Sequence, residues 1–242
     1  MIKEFIKESF LYKPLLWIWN TGVVRWFVCL VFYRNYAFEK CATDYENLQK
    51  RCEPREHVED RVEQTQFLCR VALEVKRQIG ASWATEHVLD IGAREGWSLD
   101  FLNQLGFKNL TGVEVVSDYV EYAQSKGRNV VKAQGESLVQ ADSSFSVVIS
   151  RHTLEHAENP LHFVSESVRV LRPGGVYIVS FPMQLEPSGK HCTAIPSAAA
   201  FSKLLCDAKC LDVLEEIYSG PSIRKGVSGD GSDFLFIARK KM

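Results

Sequence analysis

The sequence predicts an α/β fold, in which a doubly wound, mostly parallel sheet follows an N-terminal helical extension. Short apolar runs, which suit buried strands, alternate with segments of helical periodicity from about residue 86 onward. Glycine-containing turns join these segments, as expected where a helix ends and the next parallel strand begins. The predicted strands cover residues 88–91, 109–114, 129–132, 145–150, 176–182, 211–218 and 234–239.

Residues 1–60 differ in composition from the rest and are predicted to form a separate apolar and helical extension, with the main domain at 61–242. Asn20, Gly22 and Arg25 interrupt an apolar run that a transmembrane helix needs to be about 20 residues long. Three interpretations stay open: a helical lid packed on the domain, a segment of residues 1–35 lying on a membrane surface, or a true span. Tryptophan, tyrosine and lysine in this segment suit the membrane surface.

Charge and cysteine content exclude several classes of protein. The formal net charge is −1 over 242 residues, so nothing in the charge balance indicates a nucleic-acid partner. The seven cysteines are scattered and form no CxxC pair, which argues against a disulfide scaffold or a zinc ribbon. We therefore expect no metal and a reducing, cytoplasmic location, with membrane association left open.

The turn after the first predicted strand carries the first candidate site. A carboxylate at the end of a buried strand, followed by glycines and then a helix, is typical of nucleotide-binding loops. Gly92 can adopt backbone angles closed to other residues, and Gly96 allows the turn and the helix to pack closely. The candidate ligand-binding residues of this turn are Asp90, Gly92, Ala93, Arg94 and Gly96.

Polar side chains also follow the next three predicted strands. Glu114 ends the second strand, 22 residues after Gly92, which is close to the spacing of about 20 at which a ribose-binding carboxylate is expected. Because ligands of such sheets bind outside the carboxyl ends of the strands, we expect these residues to share one site. The further candidates are Glu114, Val115, Gln134, Gly135, Glu136 and Ser150.

Three motifs resemble those of the class I S-adenosylmethionine-dependent methyltransferases, in particular the small-molecule branch that includes ubiquinone and menaquinone biosynthesis enzymes. Residues 90–96 match acidic-x-Gly-x-Gly-x-Gly, except that Arg94 replaces the middle glycine. His152-Thr153-Leu154-Glu155-His156 is followed by Asn159-Pro160, and Arg172-Pro173-Gly174-Gly175 precedes a strand. The resemblance covers residues 86–182 well and the C-terminal part loosely. It implies a Rossmann-like, seven-stranded fold.

The resemblance also implies a cofactor and roles for individual residues. The cofactor would be S-adenosyl-L-methionine, with S-adenosyl-L-homocysteine as product. Glu114 would accept hydrogen bonds from the ribose hydroxyls, and Val115 would lie against the adenine ring. Gln134 stands where the family usually has an aspartate that binds the adenine amino group, and its amide oxygen could accept the same bond.

Three histidines are candidate catalytic bases, which methyl transfer needs only if the acceptor must lose a proton. His152 is best placed, at the start of the turn after the central strand, ahead of His156 and His191. In the alternative interpretation His152 only shapes the loop, while Glu155 or His156 supports the following helix. Residues 152–156 also fit the H-x-x-E-H pattern of inverted zinc peptidases, but their position after a buried strand disfavours that class.

The sequence therefore predicts methyl transfer to a small-molecule, lipid-linked or glycan acceptor, with oxygen favoured over carbon and nitrogen. The alternative is a non-catalytic protein that binds S-adenosylmethionine or uses the fold as a scaffold. A nicotinamide-dependent oxidoreductase is disfavoured because the glycine turn lacks the G-x-G-x-x-G spacing. The sequence leaves the oligomeric state open.

Overall fold

The computed structural model describes residues 58–182, 192–193, 195, 197–207, 211–221 and 232–242. The chain divides into two compact units, Met1–Cys69 and Arg70–Met242. The predicted extension of residues 1–60, including the lid and membrane alternatives for residues 1–35, lies outside the described residues except for 58–60. His191 lies outside them as well. Within the described ranges, no helix is both long enough and apolar enough to span a membrane.

Helices and strands alternate along the described chain, as the sequence predicts. Short 3-10 helices occur at Gly80–Thr85 and Leu154–His156. The elements are α1 (Val58–Ile79), β1 (His87–Ile91), α2 (Trp97–Gln104), β2 (Asn109–Glu114), α3 (Ser117–Ser125), β3 (Val130–Lys132), β4 (Phe145–Arg151), α4 (Pro160–Val170), β5 (Leu171–Pro182), α5 (Ala198–Asp207), β6 (Leu211–Pro221) and β7 (Ser232–Lys240).

The strands form one seven-stranded sheet in the order β3-β2-β1-β4-β5-β7-β6. Strands β1 to β5 are parallel to one another, whereas β7 is antiparallel to both β5 and β6. The predicted Rossmann-like, mostly parallel sheet is confirmed. As a consequence, the carboxyl ends of the first five strands lie along the same edge.

The strand order reverses next to β1. The chain proceeds from β1 outward to β2 and β3, and then crosses back so that β4 pairs with the other side of β1. At such a switch point the connections leave the sheet on opposite faces and open a crevice, which is where ligands bind in this class of sheet. The turn after β1 lies at this crevice.

Both faces of the sheet are covered, which explains why the central strands are buried on both sides and mostly apolar rather than alternating. Residues 88–91 of β1 and 145–150 of β4 are all buried. One cluster joins one face to α4 and α5 and includes Leu89, Ile91, Phe163, Val164, Val168, Phe201 and Leu205. A second cluster involves α2 and α3 and contains Ala93, Leu99, Val120, Ala123 and Val130.

The start of β5 differs from the prediction. The sequence predicts a turn at 172–175 and a strand from 176, but β5 begins at Leu171. Phe145 pairs with Leu171, whereas Val147 pairs with Val176, so the four intervening residues loop out of the ladder. Gly174, with a φ of +75°, lies in this loop. The predicted turn is therefore present, inside an interrupted strand.

Candidate functional site

The β1–α2 turn is built from left-handed residues in alternation. Gly92, Arg94 and Gly96 have φ values of +85°, +49° and +75°. The amides of Gly92 and Ala93 both donate to the carbonyl of Val113, at 2.8 and 3.0 Å, which folds the turn over the end of β2. Arg94 thus occupies a backbone conformation that favours glycine. Although it is not glycine, Arg94 adopts a left-handed backbone conformation of the kind that glycine adopts in such turns.

Glu114 joins this turn to the end of β2. The residue is 6% exposed, and its Oε2 accepts a hydrogen bond from the Arg94 amide at 3.0 Å. Its Oε1 accepts from the amides of Val115 and Val116, both at 2.9 Å. Because a carboxylate has about four acceptor positions, these three bonds fix its orientation and leave room for another donor.

Two apolar side chains lie in the open directly after Glu114. Val115 is 51% exposed and Val116 is 43% exposed, which is unusual for large aliphatic residues that follow a buried strand. Tyr119 lies on the next helix, α3, and the centroid of its ring is 5.3 Å from the Arg94 guanidinium. The carboxylate therefore borders an exposed apolar surface, which suits a ligand with a hydroxylated part and a flat apolar part.

Asp90 is buried beneath the turn. Burial is the main cause that raises the pKa of Asp90 from 3.8 to about 6. The hydrogen bond from the Ser98 hydroxyl lowers this pKa, and so does the positive charge of Arg151. The negative charge of Glu114 raises it. A buried carboxylate with such a raised pKa at the mouth of a crevice is typical of functional sites. A cationic group of a ligand near Asp90 would stabilise its charged form.

The segment after β3 is only partly open to a ligand. Gln134 is exposed, and its carbonyl accepts from the Ser137 amide at 3.0 Å. Gly135 packs so closely that a Cβ atom there would overlap the Phe163 ring. The Glu136 carboxylate accepts the Asn159 amide at 2.6 Å, so it is tied to the start of α4. Among the three predicted contacts, the Gln134 side chain is therefore the one best placed to bind.

Two predicted ligand-binding side chains lie in the core instead. Ser150 is fully buried beside Ile91 in the sheet, and its hydroxyl has no hydrogen-bond partner among the described residues. Ala93 is 5% exposed, and its Cβ packs at the Cα of Gly112. Neither side chain presents surface to a ligand, because Ser150 is enclosed in the sheet and Ala93 packs in the cluster beside α2 and α3.

The turn after β4 brings one predicted histidine to the crevice. His152 has a φ of +49°, its amide donates to the Ser180 carbonyl at 2.9 Å, and its Nδ1 lies 3.7 Å from Glu155 Oε1. The next side chain, Thr153, lies over Gly92. The turns after β1 and β4 are therefore in direct contact. His156, by contrast, is exposed on the 3-10 turn.

The H-x-x-E-H pattern has the wrong geometry for an inverted zinc peptidase. Residues 152–156 form the end of a strand connection and one turn of 3-10 helix, not an α-helix that presents both histidines on one face. In the part of the chain that the structure describes, no three His, Cys, Asp or Glu side chains are grouped as metal ligands.

Comparison with known proteins shows a resemblance over the middle of the chain. Residues 89–179 match the family model of a methyltransferase domain. A relative from Mycobacterium sp. (strain JLS), described as an uncharacterized methyltransferase, is 37% identical over 109 residues, which cover 43% of this chain and 42% of that protein. The chain thus spans less than half the length of this curated relative.

Solved structures confirm the Rossmann-like fold of the described residues. An S-adenosylmethionine-dependent methyltransferase from Methanosarcina mazei superposes with a TM-score of 0.54 at 18% identity, covering 66% of this chain and 94% of that one. The [4+2]-cyclase SpnF superposes with a TM-score of 0.56 at 18% identity, covering 72% of this chain and 80% of that one. At such identities the likeness concerns the fold alone.

Sequence reasoning missed three residues that shape the candidate site. Val116 exposes a second apolar side chain, Tyr119 stacks on Arg94, and Thr153 packs on Gly92. Val116 could have been found, because it is the next residue after the predicted adenine contact. The other two depend on how separate elements pack, which no spacing in the sequence reveals.

Proposed function

We propose that the protein transfers a methyl group from S-adenosylmethionine to a small-molecule, lipid-linked or glycan acceptor, at an oxygen atom. The observation that carries the proposal is the Glu114 carboxylate, which lies between the Gly92 turn and the exposed Val115 at the switch point of the sheet. A fixed carboxylate beside an apolar surface suits a nucleoside, which has ribose hydroxyls next to a flat base.

The residues present fit the cofactor. Glu114 keeps acceptor capacity for a ribose hydroxyl, Val115 offers apolar contact to the base, and Gln134 is exposed at the neighbouring strand end. The Asp90 carboxylate would favour a cationic amino group near the turn, because burial leaves it short of positive partners. When bound, the cofactor supplies an electrophilic methyl group on a sulfonium.

The protein's own contribution is alignment of the acceptor and removal of its proton. Holding two reactants in line and excluding water can lower the barrier by roughly 7–11 kcal/mol in favourable cases. A hydroxyl acceptor must also lose a proton, and a positioned base contributes about 10²–10⁴-fold to the rate. His152 is the candidate base, since its turn contacts the cofactor turn through Thr153 and Gly92.

A second candidate is a protein that binds the cofactor without transferring a methyl group. Arg94 stands where the family has glycine, and its side chain on Tyr119 borders the same edge as Val115. The solved [4+2]-cyclase has this fold and a different activity in its name, so the fold by itself does not determine the chemistry. The two candidates share cofactor binding and differ in turnover.

Isothermal titration calorimetry with S-adenosylmethionine and S-adenosylhomocysteine tests cofactor binding. Glu114→Ala should weaken binding by about 1–3 kcal/mol through lost hydrogen bonds. Glu121→Ala is the matched control, because Glu121 is an exposed glutamate on α3. Equal affinity of the Glu114→Ala variant and the wild type would remove Glu114 from the site, and no binding by the wild type would reject both candidates.

Turnover is tested by incubating the protein with deuterated-methyl S-adenosylmethionine and an extract of the producing cell, followed by mass spectrometry. The proposal predicts a labelled ether or ester product and the release of S-adenosylhomocysteine. Cofactor binding with no labelled product would favour the non-catalytic candidate. Label on carbon or nitrogen would contradict the assignment to oxygen.

A further inference from the structure

We propose that Glu155 is the positioning residue for His152, and that the pair serves an acceptor carrying a hydroxyl group. This inference rests on the proposed methyl transfer and specifies how the same site removes the acceptor's proton. Glu155 would hold the proton on Nδ1 of the imidazole, so that Nε2 is the basic nitrogen.

The two side chains form a pair of unequal burial. His152 Nδ1 lies 3.7 Å from Glu155 Oε1, within ion-pair range, and the side chains are 15% and 3% exposed. A carboxylate is costly to bury, so its position beside an imidazole at the end of a central strand is a feature typical of catalytic sites. His152 is the less buried member of the pair.

The backbone holds His152 in a conformation that few residues adopt. Its φ of +49° is in the left-handed region, which costs a non-glycine residue about 1–3 kcal/mol. Bonds on both sides maintain it: the His152 amide donates to the Ser180 carbonyl at 2.9 Å, and the Thr153 hydroxyl lies 3.1 Å from the Arg151 carbonyl.

Glu155 is held as firmly as His152. The Thr193 amide donates to the Glu155 carbonyl at 3.0 Å, and the Thr193 hydroxyl donates to the Ala157 carbonyl at 2.6 Å. Both glutamate and threonine are buried, so these bonds are shielded from water. The 3-10 turn that carries the carboxylate is therefore pinned by the segment following β5.

The pair lies on the cofactor side of the sheet. Thr153 directly follows His152 in the turn, and its side chain covers Gly92 while its hydroxyl lies 3.2 Å from the Ile91 carbonyl. The imidazole is thus attached to a turn that contacts the candidate cofactor turn. His156 lies at the other end of the 3-10 turn, where it is exposed.

The chemistry follows the logic of a base oriented by a carboxylate. The separation of 3.7 Å would shorten to hydrogen-bond distance when the acceptor binds. A carboxylate that accepts from Nδ1 keeps the proton there, which leaves the lone pair on Nε2. The acceptor oxygen would form the new O–CH₃ bond with its own electron pair while its proton moves to Nε2. The electron pair of the broken S–CH₃ bond stays on sulfur, so charge and atoms balance with an imidazolium as the other product.

Nuclear magnetic resonance of histidine side chains tests the inference without an acceptor. Two-bond proton–nitrogen correlation spectra at alkaline pH distinguish the tautomers, and the His152→Gln variant assigns the signal. We expect the Nδ1–H tautomer in the wild type, its retention in Glu155→Gln, whose amide oxygen can still accept, and its loss in Glu155→Leu. The Glu158→Gln variant, in which a nearby exposed carboxylate is removed, should leave the tautomer unchanged.

An Nε2–H tautomer in the wild type would overturn the inference, and so would a tautomer that is the same in Glu155→Leu. The wild-type spectrum decides even if a variant does not fold. Calorimetry with S-adenosylmethionine on the same samples separates the two proposals. Binding with the wrong tautomer rejects the role of Glu155 alone, whereas the expected tautomer without binding rejects the methyltransferase proposal.

Discussion

The Thr153 side chain lies over the Cα atom of Gly92, and a Cβ atom added at that position would overlap the threonine hydroxyl. The turns after β1 and β4 are separated by about sixty residues of chain, yet the position of each depends on the other. The candidate cofactor contacts lie on the turn after β1, and the candidate base lies on the turn after β4. The contact between Thr153 and Gly92 therefore fixes the position of the candidate base relative to the candidate cofactor site.

The first prediction is that Gly92→Ala destabilises the fold more than Gly127→Ala. Both glycines have positive φ, at +85° and +75°, so both substitutions cost about 1–2 kcal/mol for the left-handed backbone. Only the Gly92→Ala substitution also makes the added Cβ overlap the Thr153 side chain. At Gly127 no described atom lies within 4 Å of the added Cβ. Overpacking should cost a further 1–3 kcal/mol or so in urea unfolding.

A double variant supplies the control for this prediction. In Gly92→Ala with Thr153→Ala, the overlap is removed while the backbone cost remains, so part of the lost stability should return. Equal losses in the Gly92→Ala and Gly127→Ala variants would show that Thr153 moves aside at no cost, and that the two turns are not tightly coupled.

The second prediction concerns the pH dependence of stability. The pKa of Asp90 is raised from 3.8 to about 6, mainly by burial, so the folded protein binds this proton more tightly than the unfolded chain does. The resulting cost to stability is complete above pH 6, shrinks as the pH falls, and is absent below 3.8. A shift of this size corresponds to about 3 kcal/mol.

Asp90→Asn should therefore increase the free energy of unfolding by up to about 3 kcal/mol near pH 8, with an advantage that disappears towards pH 4. Asp118→Asn, at an exposed position on α3, should show no such trend. The same Asp90 variant should bind S-adenosylmethionine more weakly. A loss of stability at alkaline pH would show that the buried charge stabilises the apo fold.

The third prediction separates the backbone of Arg94 from its side chain. Arg94→Gly and Arg94→Ala both remove the contact with Tyr119, but only glycine adopts the φ of +49° without strain. The alanine variant should be less stable than the glycine variant by about 1 kcal/mol in urea unfolding. Equal stability of the two variants would mean that the turn changes its path when the arginine is removed.

The fourth prediction concerns the exposed apolar surface beside Glu114. Val115→Asp should weaken binding of S-adenosylmethionine at least tenfold, because a charge would replace the apolar contact to the base. Stability should change little, since Val115 is 51% exposed. Val139→Asp is the matched control, since Val139 is 68% exposed and lies outside the site, and its binding should remain as in the wild type. Equal affinities in calorimetry would remove Val115 from the site.

Much of the fold could be predicted because short sequence patterns determine where its helices and strands begin and end. The end of β2 at Glu114 follows from an apolar run that stops at a carboxylate, and the stop after α3 follows from Gly127, whose φ is +75°. Asn159 and Pro160 mark the start of α4, because the Asn159 side chain accepts from the His162 amide and Pro160 is the first helical residue. These elements are set by neighbouring residues, through strand burial, glycine angles and helix amphipathicity.

The site could be predicted in part. Parallel strands bring their carboxyl ends to one edge, so the approach of the Gly92 turn to Glu114 followed from strand order. The contacts of individual side chains could not be predicted in this way: the Glu136 carboxylate accepts from the Asn159 amide, and the Ser150 side chain is buried in the core. Such details depend on α4 and on sheet packing, which lie far away in sequence.

The sequence by itself determined the alternation of strands and helices, the glycine turn after β1 and the carboxylate at the end of β2, because each depends on residues a few positions apart. Only the tertiary structure decided that Thr153 covers Gly92 and that Glu155 faces His152. Those contacts join segments that follow β1 and β4, which pairing of the two strands brings to the same edge of the sheet. The directions of the side chains in these segments result from the packing of the whole sheet.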